Sequence, residues 1–149
     1  MNDYVGADGD TVKLLRECDA GIKMGISSID DVVDEVRNQD FRALLNESRA
    51  QHQKLANEIV GLLVEHGDKG KDPNPMAKSM SWIKTSVKMM ADHSDQTVAD
   101  LMTDGCNMGV KSLAKYLNEY QSADEKSKDI TQRLVQIEDK LSTDIRPYL

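Results

Sequence analysis

Apolar residues recur along this chain at the three-and-four spacing of helices, and no stretch alternates with period two over a useful length. Between residues 11 and 37 one seam reads Val12, Asp19, Ile26, Val33 and its neighbour Leu15, Ile22, Ile29, Val36. Only Asp19 is polar, so an amphipathic helix is predicted over about 11–37, with Asp10 or Thr11 as its cap. "RNQD" (37–40) breaks the pattern, and Asp40 is placed to cap a second helix over about 40–66. Its seam is Phe41, Leu45, Ser48, His52, Leu55, Ile59 and Leu62. "HGDKGKDPNP" (66–75) supplies glycines for a left-handed end and two prolines that prevent continuation. A shorter amphipathic helix is expected over about 76–91. Ser94 then caps a third long helix, about 95–120, with Val98, Leu101, Met102, Val110, Leu113, Leu117 and Tyr120 inward. "SADE" (122–125) has the form of a capping box and opens a fourth, about 123–145, carrying Ile130, Leu134, Ile137, Leu141 and Ile145. Helices of this length, about 39 Å at 1.5 Å per residue, predict one all-α domain over 1–149: a four-helix bundle with a short extra helix in the connection between its second and third helices.

Two of these helices carry one phrase. "GIKMGISSI" (21–29) in the first returns as "GCNMGVKSL" (105–113) in the third: Gly21, Met24, Gly25 and Ser28 pair with Gly105, Met108, Gly109 and Ser112. The chain is therefore expected to be two helical hairpins joined by a crossover over 66–94. A glycine inside a helix costs about 1 kcal/mol against alanine, so four at matching positions suggest close helix–helix approach.

Composition narrows the function classes. The 149 residues carry 19 Lys and Arg against 26 Asp and Glu, a net charge of −7. No basic cluster stands out, which argues against a nucleic-acid binder. The acidic start "MNDYVGADGD" has no apolar run of a secretory leader, and no segment approaches the ~20 apolar residues of a membrane span, so a cytoplasmic location is expected. Cys18 and Cys106 then read as reduced thiols that pack as small hydrophobes. There is no phosphate loop, nucleophile elbow or His-Glu-x-x-His, and "GADGD" lacks the distal glutamate of a calcium loop.

Over about residues 11–145, "LLRECDAG", "ESRAQHQKL", "SWIK" and "GVKSLAKYLNEY" resemble a bacterial ferritin-like family without an assigned function. The resemblance implies an up-down bundle of two hairpins. Di-iron members of the superfamily carry a Glu on each of two helices and Glu-x-x-His on each of the other two. Here Ile22 and Cys106 fall where those glutamates would stand, Arg49-x-x-His52 replaces one Glu-x-x-His, and the last helix has no histidine. Only His52 survives. The expectation is a ferritin-like bundle without the di-iron cofactor, acting non-catalytically in binding or oligomerisation.

Asp19 and His52 are polar residues in apolar seams and need partners if buried. Counted from the turn near residue 39, they differ by about seven residues in height, which makes direct contact doubtful without stagger. Ser48 and Thr103 are candidates for the same network. The alternative reading is an altered metal site, with Asp19, His52, Cys106, Asp104 and Glu138 around one iron or zinc ion; zinc tolerates such a mixture of S, N and O donors. His66 and His93 fall at helix ends and are expected to face solvent. An interaction surface is expected on 76–91, where Met76, Met80, Trp82, Ile83, Val87 and Met90 form an adaptable apolar face beside Lys78, Lys84 and Lys88. It suits a second copy of the chain, giving a homodimer, or another protein partner. Its short length and modest lysine content make a membrane surface a poor fit.

Overall fold

The computed structural model describes residues 7–72 and 91–149. Four α-helices run over Ala7–Val32 (α1), Gln39–Glu65 (α2), Asp95–Glu119 (α3) and Glu125–Asp144 (α4), with 3-10 turns at Val33–Glu35 and Arg146–Tyr148. Among the described residues there is no strand, and no helix is long and apolar enough to cross a membrane. The expected helix at 76–91, with Met76, Met80, Trp82, Ile83, Val87 and Met90, lies outside the described residues apart from its last position.

The helix ends follow local chemistry that differs in detail from the sequence expectation. α1 starts before Asp10 and Thr11, so neither caps it. Both reach instead to the turn ahead of α4: Asp10 Oδ2 accepts from the Ser122 N–H at 2.9 Å, and Thr11 Oγ1 accepts from the Asp124 N–H at 2.8 Å. α1 also stops at Val32. The β-branched pair Val32–Val33 and flanking aspartates are weak helix formers; the last turn tightens to 3-10, and Val36 turns extended with ψ 126° while its side chain enters the core. Asn38, rather than Asp40, caps α2 by accepting from the Phe41 N–H at 3.0 Å. Asp40 falls in the first turn, where its charge suits the helix dipole. Ser94 caps α3 through the Thr97 N–H. Asp124, not Ser122, caps α4 through the Ser127 N–H at 2.8 Å, because the helix begins at Glu125 and Asp124 is the residue just before it. Beyond α2, Gly67 and Gly70 take the positive φ that favours glycine, 68° and 88°.

Cross-helix contacts give the helix directions. Arg49 pairs with Asp30 at 2.6 Å and His52 meets Gly25, while Arg133 pairs with Glu58 at 2.9 Å and Glu138 with His52, so α2 runs antiparallel to both α1 and α4. The Asp95 carboxylate accepts from the Arg37 and Asn38 N–H groups at 2.8 and 2.9 Å, which fixes the start of α3 beside the end of α1. Asp72, by contrast, pairs with Lys23 at 3.1 Å, and Lys71 with Glu17. The chain thus leaves α2 alongside the body of α1 and re-enters at its far end, and α3 runs antiparallel to α1.

The core has two apolar halves. One gathers Ile29, Val36, Phe41, Leu45, Val98 and Ile145, closed at its end by Phe41 stacked on Tyr148 with centroids 4.5 Å apart. The other gathers Leu15, Ile22, Leu55, Ile59, Leu113 and Leu134. On α1 the gap between them falls at Gly25, on α2 at Ser48–His52, on α3 at Gly109 and on α4 at Glu138. A polar layer therefore sits between two apolar blocks, and the candidate site is built there.

Candidate functional site

His52 lies one turn after Ser48 on the buried stripe of α2. Its Nδ1 stands 2.7 Å from the Ser48 carbonyl oxygen and 3.5 Å from Ser48 Oγ. A carbonyl only accepts, so Nδ1 carries a proton. Nε2 then faces Glu138 Oε1 at 3.3 Å. Both residues are buried, with 2% of His52 and 9% of Glu138 exposed. Burial is the largest influence on the ring and disfavours its charged form. The hydrogen bond to Glu138, the hydrogen bond to the Ser48 carbonyl and the Glu138 charge outweigh it, so the His52 pKa lies above the ordinary imidazole value.

Two glycines make room for this pair. A Cβ at Gly25 would stand 3.2 Å from His52 Nε2 and Cδ2, and one at Gly109 would stand 2.4 Å from Glu138 Oε2. The expected close approach of helix backbones is thus not what these glycines serve: each admits a polar side chain from a neighbouring helix. Gly21 and Gly105 have nothing within 4 Å of a built Cβ; they border open space.

That space is a cavity of about 200 Å³ between α1 and α3. Its walls are the repeated phrase itself, Gly21, Met24, Gly25 and Ser28 facing Gly105, Met108 and Gly109. Ile29, Val32, Leu101 and Met102 make it largely apolar, and His52 and Glu138 are its polar lining from α2 and α4. Glycine in place of larger residues at one helical level on both walls leaves the volume unfilled.

The residues singled out from the sequence divide between two places. His52 and Glu138 meet, and Cys106 and Asp104 border the same cavity. The Cys106 thiol is pushed up to about 12 by burial and by the charges of Glu138 and Asp139, so it stays protonated at neutral pH. Cys18, raised to about 11 chiefly by burial, contacts Thr131 Oγ1 at 3.2 Å. Asp19 is buried but belongs elsewhere: its Oδ2 accepts from the Lys71 N–H at 2.9 Å and pairs with Lys23 at 2.9 Å, pinning the segment after α2 onto α1. Ser48 joins the His52 network, whereas Thr103 Oγ1 is buried without a hydrogen-bond partner among the described residues. His66 is half-buried, its Nδ1 2.8 Å from the Leu62 carbonyl, and His93 is exposed beside Glu35.

The donor set does not fit a di-iron centre. Ile22 is a buried core residue, one histidine and one glutamate reach the middle of the bundle, and among the described residues no three His, Cys, Asp or Glu side chains come together in a way that could hold a metal. On α4 the three-and-four spacing points to Ile137 as the inward residue, whereas Glu138 is the one buried at this level. The usable signal is spacing: Leu134, Glu138 and Leu141 repeat the inward rhythm, and Glu138 follows the second phrase much as His52 follows the first. Comparison with known protein families, with curated proteins and with solved structures finds no match.

Proposed function

We propose that this protein is a ferritin-like bundle that works by binding, without catalysis, and that the cavity between α1 and α3 receives a small, largely apolar molecule. The observation that carries this reading is the cavity of about 200 Å³ set at the polar layer of the bundle. An apolar cavity of about 150 Å³ takes benzene, so a substituted single ring or a short aliphatic chain is the scale of ligand.

The ferritin-like part of the reading draws support from the helix directions and the repeated phrase. Gly25 against His52 and Gly109 against Glu138 are matched arrangements, as two hairpins related by a pseudo-twofold would produce. In that scheme His52 and Glu138 are counterparts at the level where a di-iron relative would hold its metal, and the space left by the missing carboxylates becomes the binding cavity. A thiol held protonated beside a hydrogen-bonded His52–Glu138 pair offers no activated nucleophile, which favours binding over chemistry.

Thermal unfolding of the full chain with a panel of monocyclic and short-chain molecules tests this. A specific ligand raises Tm with concentration, and Gly105→Phe, which fills the open space, removes the effect. A panel without any shift sinks the proposal. Stoichiometric iron or zinc that disappears in His52→Ala would replace it with the metal-binding reading.

A further inference from the structure

We propose that the cavity's ligand is a neutral molecule with an apolar body and one hydroxyl group, which it donates to Glu138 Oε2. This rests on the cavity being a binding site, and it follows from counting the polar atoms that face the space.

The Ser28 hydroxyl is donated to the Met24 carbonyl at 2.8 Å. His52 Nδ1–H is committed to Ser48. Nε2 faces Glu138 Oε1 at 3.3 Å and, in the protonated ring, donates to it. Glu138 Oε2 has no hydrogen-bond partner among the described residues, yet it is not among their fully enclosed unpartnered atoms, which are Thr103 Oγ1 and Ser127 Oγ. Glu138 keeps 9% of its surface accessible, its Oε2 lies against Gly109, and both residues line the cavity.

Oε2 is an acceptor in either state of the pair. With an imidazolium and a carboxylate it is a carboxylate oxygen. With a neutral ring it is an acceptor still. A ligand group that meets it must donate. Charge decides the rest while His52 holds its second proton: the pair is then neutral overall, Asp104 at the border of the cavity has a partner of its own, and the remaining lining is mostly apolar. An anion would confront the Glu138 carboxylate, a cation would confront the imidazolium behind it, and either would carry an uncompensated charge against a mostly apolar lining. A hydroxyl on an apolar frame satisfies Oε2 without that cost.

The test is calorimetric titration of the full chain with four probes of one shape: 4-methylphenol, 4-methylanisole, para-xylene and 4-methylbenzoate. The phenol alone combines a neutral head with a donor, and is expected to bind about tenfold tighter than xylene or more, as a hydrogen bond to a buried charged acceptor implies. The anisole, whose oxygen can only accept, should gain nothing over xylene. In Glu138→Leu the phenol's advantage should vanish while xylene still binds; the four-probe comparison in the unaltered chain stands even if that variant does not fold. Equal binding of phenol and xylene overturns the hydroxyl assignment and leaves the cavity reading intact. Tightest binding of the benzoate overturns it in favour of an anion held by the imidazolium. If none of the four binds, the cavity reading itself falls.

Discussion

His52 and Glu138, 86 positions apart in the chain, meet in the middle of the bundle with 3.3 Å between Nε2 and Oε1. They divide the core into two apolar halves and line the cavity between α1 and α3. A buried pair of this kind contributes little net stability when intact, but removing one member strands the other. His52→Leu and Glu138→Leu are each expected to lower stability by about 3–5 kcal/mol. The double variant should lose less than the sum, with a coupling of about 1–3 kcal/mol in a denaturant double-mutant cycle. Additive losses would show that the two side chains do not act as a pair.

The pair also makes stability depend on pH. His52 holds its proton more tightly folded than unfolded. Its contribution is therefore fully present below the unfolded value of about 6.5 and is lost as pH rises through the higher folded value. Imidazole resonances followed by NMR should place the His52 midpoint above the ordinary imidazole value of about 6.5. The fall of Tm across that window should flatten in Glu138→Gln, which removes the raising partner. A His52 midpoint below the ordinary range would contradict the hydrogen-bond assignment.

Within one repeated phrase, neighbouring glycines should answer oppositely to substitution. Gly105→Ala meets nothing within 4 Å and should gain up to about 1 kcal/mol from helix propensity. Gly109→Ala places a methyl 2.4 Å from Glu138 Oε2 and 3.0 Å from its carboxyl carbon. The carboxylate must move from His52, so a net loss of stability and a lowered His52 pKa are expected. Equal effects at both positions, read by thermal melts and the NMR titration together, would refute the packing described for Gly109.

Asp19 is tied to the segment after α2, not to the polar layer. Asp19→Ala leaves the half-buried Lys71 N–H without its acceptor and leaves Lys23 to Asp72 and the Lys71 carbonyl. A loss of about 1–3 kcal/mol is expected, with faster amide exchange at Gly70 and Lys71 and an unchanged His52 titration. A shifted His52 midpoint would mean that the two sites communicate.

Both thiols should resist alkylation. Cys106, pushed up to about 12, and Cys18, about 11, should react slowly with iodoacetamide at pH 8 in the folded chain and rapidly once unfolded. Ready modification of native Cys106 would argue against its burial.

Much of this molecule was legible in residue order alone. Helix identity follows from the three-and-four spacing of Leu, Ile and Val, because burying one stripe of a helix dominates its stability wherever the partner comes from. The seam of α1, the interruption at 37–40 and the cap at Ser94 are local, and local chemistry writes them into adjacent residues. The repeated phrase likewise marks Gly25 and Gly109 as special positions.

What those glycines accommodate was decided only by the tertiary structure. Asp19 and His52 look alike as polar residues in apolar seams. One turns to a backbone N–H at Lys71, and the other to a carboxylate on the last helix. Asp10 and Thr11 look like caps for their own helix and serve the turn before another. In each case the partner is supplied by a segment distant in sequence, and hydrogen bonds are satisfied by whichever donor or acceptor the packed helices bring within about 3 Å. The cavity has the same origin. Periodicity says which face of a helix turns inward, whereas an unfilled volume depends on what all four inward faces present at one level.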